Sequence, residues 1–331
     1  HRRRHGRGGN VRGRMTRALL LALALCAAAA QAQQFPTKPI KIIAPYAAGG
    51  ANDLMARYLC ERFPHAFGQP CIVENKTGAG GMIGIDAAAK AEPDGHTLVM
   101  VPNNVATIPF MYRKPLYDTQ KDLAPIALVS GTPIMVGAHP EFPAKTFREL
   151  VTYAKANSGK VNFTSCGVAS PQHLAGELLA EEAGFKWTHV PYKGCGEALT
   201  AVLGRQVPVF ISTVAHLAPQ IKNGKLRGYA ILGAERSRFA PDYPTAKEVG
   251  YPDLQFDLWF GLMTSSKVQQ AIQARLNAEV NKALQSPDLR EKLAQQLYEP
   301  IGGTPERFAQ AIRADMDRYG RAIKEAGIKP E

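Results

Sequence analysis

From Pro36 onward, short apolar runs alternate with segments whose apolar residues recur at helical spacing. IKIIAP, CIVEN (71–75) and TLVMVP (97–102) have the length and β-branched content of buried strands. Between them lie an amphipathic stretch over 53–67 and TGAGGMIGIDAAAK, a tight glycine-rich turn leading into a short helix. A second series follows: helix TFRELVTYAKA, strand VNFTS, helix HLAGELLAEEAG, strand THVPY (188–192), and helix ALTAVL with Gly204 as its stop. Strand VPVFIS then leads to AHLAPQIKNGK, followed by RGYAILG. Such alternation predicts an α/β fold with mainly parallel sheets.

Two segments interrupt the rhythm. LAPIALVSGTPIMVGAHP (123–140) and LQFDLWFGLMTSS (254–266) are apolar with little room for a helix, and each reads as a crossing between domains. Beyond the second, the pattern is helical to the end. Thr304-Pro305 supplies a cap and a first-turn proline, and Gly327 a stop. The expected organisation is one domain from 33–130 with 260–331 and another from 131–259, joined twice about a hinged cleft.

The first 32 residues change the charge argument. Arg17, an apolar run and Ala30-Gln31-Ala32 have the layout of a secretory signal peptide, with Met15 as the start and cleavage after Ala32. The apolar run is shorter than the ~20 residues a spanning helix needs. The formal net charge of +12 includes seven arginines in this leader, so the exported chain, with 33 basic and 28 acidic residues, carries +5. With no Lys/Arg block and no aromatic interleaving, a nucleic-acid footprint is not expected. Export also places Cys60, Cys71, Cys166 and Cys195 in an oxidising compartment, where they could form two disulfides. Cys60 and Cys71 could bridge a helix end to a strand start, and Cys166 and Cys195 both lie in glycine-containing turns. The sequence does not settle the pairing. The absence of C-x-x-C argues against a zinc or thioredoxin-type site, and no metal or cofactor is expected.

In open α/β sheets, ligands collect beyond the carboxyl ends of the strands. Four turns stand there: PYAAGGAND, PNN, TSCGVASPQH and PYKGCGE. Each combines small residues with hydroxyl, amide or backbone N–H donors. None holds an arginine or a pair of carboxylates placed for acid–base work, and Lys193 and His173 are their only basic side chains. An anion bound there would be held by backbone amides and helix N-termini. Asn52 or Asp53 reads first as a helix cap, and Asp53 second as a partner for a ligand ammonium. Gly49 and Gly50 read first as turn glycines. Neither glycine-rich turn fits a P-loop or the dinucleotide fingerprint. Ser170-Pro171 reads as a cap with a first-turn proline, and His173 as a neutral hydrogen-bonding ring. A nucleophile reading would pair Cys166 or Ser165 with His173, although no orienting acid is evident.

PYAAGGANDLMAR, VENKTGAGGMIG, SCGVASPQHLAGELL, HVPYKGCGEALTAVLGRQV and IKNGKLRGYAI, in that order, resemble the Bug-type periplasmic receptors of tripartite tricarboxylate transporters. The resemblance runs from about Pro36 to Lys329. It implies a two-domain α/β periplasmic-binding-protein fold of type II, with a ligand cleft between domains joined by two crossing segments. It implies a receptor in the periplasm that binds a di- or tricarboxylate, an amino acid or an aromatic acid and delivers it to membrane subunits; nothing in the sequence suggests an obligate interface, so a monomer is expected. The implied binding set is Tyr46, Ala48, Gly49, Gly50, Ala51, Asn52, Asp53, Asn103, Ser165, Gly167, Ser170, His173, Tyr192 and Ser212, with Thr213 as a neighbour of the last. Cys166 and Cys195 stand where relatives often carry Gly, Ser or Thr, which permits a disulfide across the pocket wall. Glu197 replaces a common small apolar residue and reads as a helix-start acid. The competing readings are a ligand-presenting sensor subunit and a periplasmic hydrolase.

Overall fold

The computed structural model describes residues 35–330, so the signal-peptide and start-site expectations lie outside the described residues. β1 (Ile40–Ala44) leads through a glycine turn into α1 (Ala51–Cys60) and α2 (Phe63–Phe67), then β2 (Cys71–Asn75) and α3 (Met82–Ala89). β3 (Thr97–Pro102) runs into a short 3₁₀ turn over Asn103–Ala106, a one-turn helix α4 (Ile108–Met111) and the long strand β4 (Leu123–Ala138). Next come α5 (Phe147–Ala156), β5 (Asn162–Thr164), α6 (Pro171–Ala183), β6 (Thr188–His189), α7 (Cys195–Leu203), β7 (Val209–Thr213), α8 (Val214–Lys222) and β8 (Arg227–Ile231). The chain returns on β9 (Asp257–Ser265) and closes with α9 (Gln270–Leu284), α10 (Pro287–Gln295), β10 (Glu299–Pro300) and α11 (Pro305–Glu325).

The strands form two sheets that share β4. The first has the order β2-β1-β3-β9-β4, with β10 on the far side of β4. The second carries β8 and β7 on opposite edges of β4, followed by β5 and β6. The handover falls between two adjacent residues: Pro133 is still paired with Asp257 of β9, whereas Ile134 is paired with Thr213 of β7. The segment over 123–140, expected to cross, is thus one continuous strand belonging to both sheets.

The expectation of mainly parallel sheets needs correction. β1 is parallel to β2 and β3, and β5 to β6 and β7, but every pairing made by β4 or β9 is antiparallel. The chain leaves the first sheet on β4 and re-enters on β9, so the two run in opposite directions and need no crossover helix between them. The helix expected over 53–67 is likewise two. Pro64 has no N–H to give and its ring would clash with the carbonyl four residues back, so α1 ends at Cys60 and α2 restarts at Phe63.

Apolar faces pack on both sides of each sheet. Ile42, Leu98 and Ile126 meet Met55 of α1 and Leu276 of α9, while Val99 and Val101 meet Ile85 of α3 on the opposite face. In the second sheet Val136, Phe163 and Ile211 pack under Leu174 and Leu178 of α6. α11 serves both cores: Phe308 and Ile312 join the first, Tyr319 and Ile323 the second. Gly261 in mid-β9 explains part of this seating, because a Cβ built there would lie 2.1 Å from the Phe308 ring. Disulfides join Cys60 at the end of α1 to Cys71 at the start of β2, and Cys166 after β5 to Cys195 at the start of α7.

Candidate functional site

A cavity of about 340 Å³ opens beyond the carboxyl ends of β1, β3 and β5. Four stretches of chain form its wall: Tyr46 after β1, Gly80 before α3, the segment from Pro102 to Tyr112, and the turn from Cys166 to Pro171. Leu258 of β9 contributes from the crossing. The 13-residue helix α6 starts at this wall, with Ser170 as its cap accepting from the His173 N–H at 3.2 Å. Pro171 brings no N–H and the cap takes that of His173, so the helix favours negative charge there chiefly through its dipole.

The first-sheet side is braced by a small polar network. The Tyr46 hydroxyl donates to the Gly80 carbonyl at 2.8 Å and receives a short hydrogen bond from Asn104 Nδ2, which also reaches Gly80 O at 3.1 Å. Burial pushes the Tyr46 phenol well above its ordinary pKa, so it stays a neutral donor. Asn103 is fully buried, and its Nδ2 donates to the Asp257 carbonyl at 2.9 Å and to the Tyr319 hydroxyl at 2.7 Å. One side chain therefore ties the end of β3 to the returning crossing and to α11.

Asp53 takes neither of its expected roles in simple form. The residue at the cap position of α1 is Gly50, and Ala48, Gly49 and Gly50 form an exposed turn with Gly49 at φ +82°. Asp53, third in the helix after Ala51 and Asn52, reaches back to accept the Gly49 N–H at 2.9 Å. Its carboxylate also accepts from Arg57 Nε at 2.9 Å and Asn75 Nδ2 at 2.8 Å. Burial works to raise its pKa, but these three donors outweigh it and hold the carboxyl below its usual range. At 2% exposure its oxygens are committed to ordering the turn and not to a ligand ammonium. Asn52 is also buried, donating to the Met100 carbonyl at 2.8 Å.

On the second-sheet side most of the expected hydroxyl and imidazole groups lie behind the wall. Ser165 is fully buried, 2.8 Å from His189 Nε2, and not paired with His173. His173 Nδ1 accepts the Ala169 N–H at 3.0 Å, which places the ring proton on Nε2, 3.3 Å from Glu177. The two imidazoles stack with centroids 3.8 Å apart, and burial, followed by that neighbour, drives the pKa of His189 down to about 3. Cys166 is in a disulfide. Of the groups in the nucleophile reading, Cys166 is thus bonded to Cys195, and Ser165 and His173 are buried in packing roles. Ser212 is also fully buried, 2.9 Å from His216 Nδ1 and 3.3 Å from Cys166 Sγ. Thr213 Oγ1 lies 3.0 Å from the same nitrogen. Tyr192 points at Gln206 at 3.4 Å, and Glu197 accepts the Lys193 N–H at 3.3 Å as a helix-start acid. Gly167, at φ +126°, provides the bend that brings Cys166 and Val168 to the cavity.

Of the residues expected from sequence, Tyr46, Asn103 and Ser170 line the cavity, beside Cys166 of the expected turn. The structure adds Asn104, Thr107, Ile108, Met111 and Tyr112. The Asn103-Asn104 pair marked where β3 ends, but nothing in the periodicity indicated that the next two turns fold back over the opening.

A model described as "Tripartite tricarboxylate transporter family receptor" matches residues 55–328. The protein BugT of Bordetella pertussis is 34% identical over 313 residues, 94% of this chain and 96% of that protein. Among solved structures, the periplasmic binding protein BugD is 30% identical, with a TM-score of 0.74 over 90% of this chain and all of that one. MatC from Rhodopseudomonas palustris, with bound malate, is 31% identical, with a TM-score of 0.72 over 87% of this chain and all of that one.

Proposed function

The chain belongs to the tripartite tricarboxylate transporter receptor family, whose members bind solutes and do not transform them, and from that premise we propose that it captures a small carboxylate for import. The observation that carries the reading is the cavity at the strand ends, where the start of α6 meets neutral polar groups and no charged side chain lines the wall among the described residues. A carboxylate there is held by backbone amides, the helix dipole and bridging water. MatC, similar along nearly its whole length, holds malate, which supports a carboxylate over a phosphate or a cation.

Residues 33–130 with 260–331 act as one lobe and 131–259 as the other. The handover of β4 between Pro133 and Ile134, opposite the entry of β9 at Asp257, supports this division with that point as the hinge. Closure about it would bring the Cys166–Pro171 turn toward Tyr46 and α4. The receptor works as a periplasmic monomer that presents its closed form to the membrane subunits of the transporter.

The test is thermal unfolding of ligand-stripped protein spanning Gln33–Glu331 against a panel of carboxylates. A ligand at 100 times its Kd adds ~2.7 kcal/mol, a shift of several degrees at roughly 2 °C per kcal/mol. Selective stabilisation by a carboxylate recovered unchanged is the expected result. Stabilisation by phosphate or sulfate with none by any carboxylate overturns the reading.

A further inference from the structure

Part of the cavity wall is a continuous apolar surface. Ile108, Met111 and Tyr112 form one side, Leu258 the floor at the crossing, and Val168 the opposite turn. Val168 is 57% exposed, one of few large apolar side chains so open among the described residues. Among the described residues, no Asp, Glu, Lys, Arg or His lines the space. Its neutral polar groups are the Tyr46 hydroxyl after β1, Asn103, Asn104 and Thr107 after β3, the Tyr112 phenol after α4 and Ser170 at the start of α6, and the hydroxyls of Tyr46, Thr107 and Ser170 each donate to a backbone carbonyl. The amides of Asn103 and Asn104 are oriented by backbone carbonyls, which can only accept, so both Nδ2 groups are already used within the protein.

A ligand with two carboxylates must desolvate both. One meets the α6 N-terminus; the other would lie against Met111, Tyr112 and Val168 with no cation to compensate it. A ligand with one carboxylate and an apolar body has no such conflict, and it covers Val168 as it binds. We infer that the solute is a monocarboxylate with an apolar body, a ring or branched-chain acid filling the space between Ile108, Met111 and Val168. This rests on the proposal that the cavity holds a carboxylate.

The experiment measures Kd by calorimetry for benzoate, cyclohexanecarboxylate, malate, citrate and uncharged benzamide. It uses the exported chain and its Val168→Lys and Met111→Lys variants. Val168 is exposed, so its variant should melt with the wild type, and Met111→Lys serves as a second reading of the same wall. The wild type is expected to bind benzoate or cyclohexanecarboxylate at least tenfold more tightly than malate or citrate, and benzamide at least tenfold more weakly than benzoate. Each lysine variant should weaken the ring acids at least tenfold and narrow or invert the preference. Malate or citrate binding more tightly to the wild type overturns the inference and leaves the carboxylate proposal standing. Benzamide binding as tightly as benzoate, or no binding by any acid, overturns the carboxylate proposal and the inference with it.

Discussion

Asp315 sits on α11 where the two cores meet, 6% exposed, and one of its oxygens accepts from Trp259 Nε1 at 2.8 Å. Burial drives its pKa up to about 6, against the opposing pull of Arg318, 3.4 Å away, and of donors on Trp259, Asn103 and Tyr319. The carboxylate of Asp257 is a nearby like charge across the crossing. In the unfolded chain an aspartate titrates near ~3.9. Between these values the folded state binds the proton that the unfolded state has lost, so stability falls as pH rises from about 4 to about 6 and stays lower above. Two pKa units correspond to about 3 kcal/mol at most. Asp315→Asn keeps an acceptor for Trp259 and cannot ionise.

The expected outcome is a melting-temperature difference, Asp315→Asn minus wild type, that grows by roughly 5 °C between pH 4 and pH 7.5, taking ~2 °C per kcal/mol. Comparing the two proteins at each pH cancels the titration of acids such as Asp53 and Glu248, whose depressed pKa values act in the opposite direction. Trp259 offers a second readout. In a Trp187→Phe background its emission should titrate with a midpoint near 6 and lose that step in Asp315→Asn. A difference that is flat or shrinks with rising pH would falsify the argument that burial, and not the surrounding donors, dominates at Asp315.

Asp53 should behave in the opposite sense: Asp53→Asn is expected to cost about 2 kcal/mol at pH 7, the range for hydrogen bonds to a charged group. In urea titrations that penalty should shrink once pH drops below about 4, where the unfolded chain's aspartate takes up its proton, and disappear as pH falls through the depressed native value. Replacing both Cys166 and Cys195 by alanine releases a loop with a sequence separation of 29. By chain entropy this should cost about 3–4 kcal/mol, with a loss of ligand affinity that Cys60→Ala/Cys71→Ala should not share, since only Cys166 borders the cavity. Gly261→Ala places a methyl group 2.1 Å from the Phe308 ring, so about 1–3 kcal/mol of destabilisation is expected in denaturant melts. Combination with Phe308→Leu should cost less than the sum of the two single changes, and strict additivity would show that the ring is not what excludes a side chain there.

The alternation of apolar strands and helical segments was legible because each element announces itself locally, by period and by caps such as Ser170-Pro171 and Thr304-Pro305. The two crossings were legible for the opposite reason, as apolar stretches too long for a strand in a simple alternation and too poor in helical period. Their direction was not. Whether β4 and β9 run antiparallel depends on where the chain returns, which no local window contains. The cavity divides along the same line. Tyr46, Asn103 and Ser170 stand at ends of strands or starts of helices, where backbone donors are exposed by geometry, and sequence reasoning reaches such places through turns. Ser165, His173 and Ser212 have the same chemistry and the same kind of address, yet each is buried against an imidazole, a backbone N–H or a sulfur. Residue type alone could not separate a hydroxyl that faces a ligand from one that satisfies its neighbour. Ile108, Met111 and Tyr112 escaped for a different reason: an apolar residue lining a cavity and one lining a core have the same periodicity. Only placement distinguishes them, and it is on these residues, not the polar turns, that the proposed preference for an apolar acid rests.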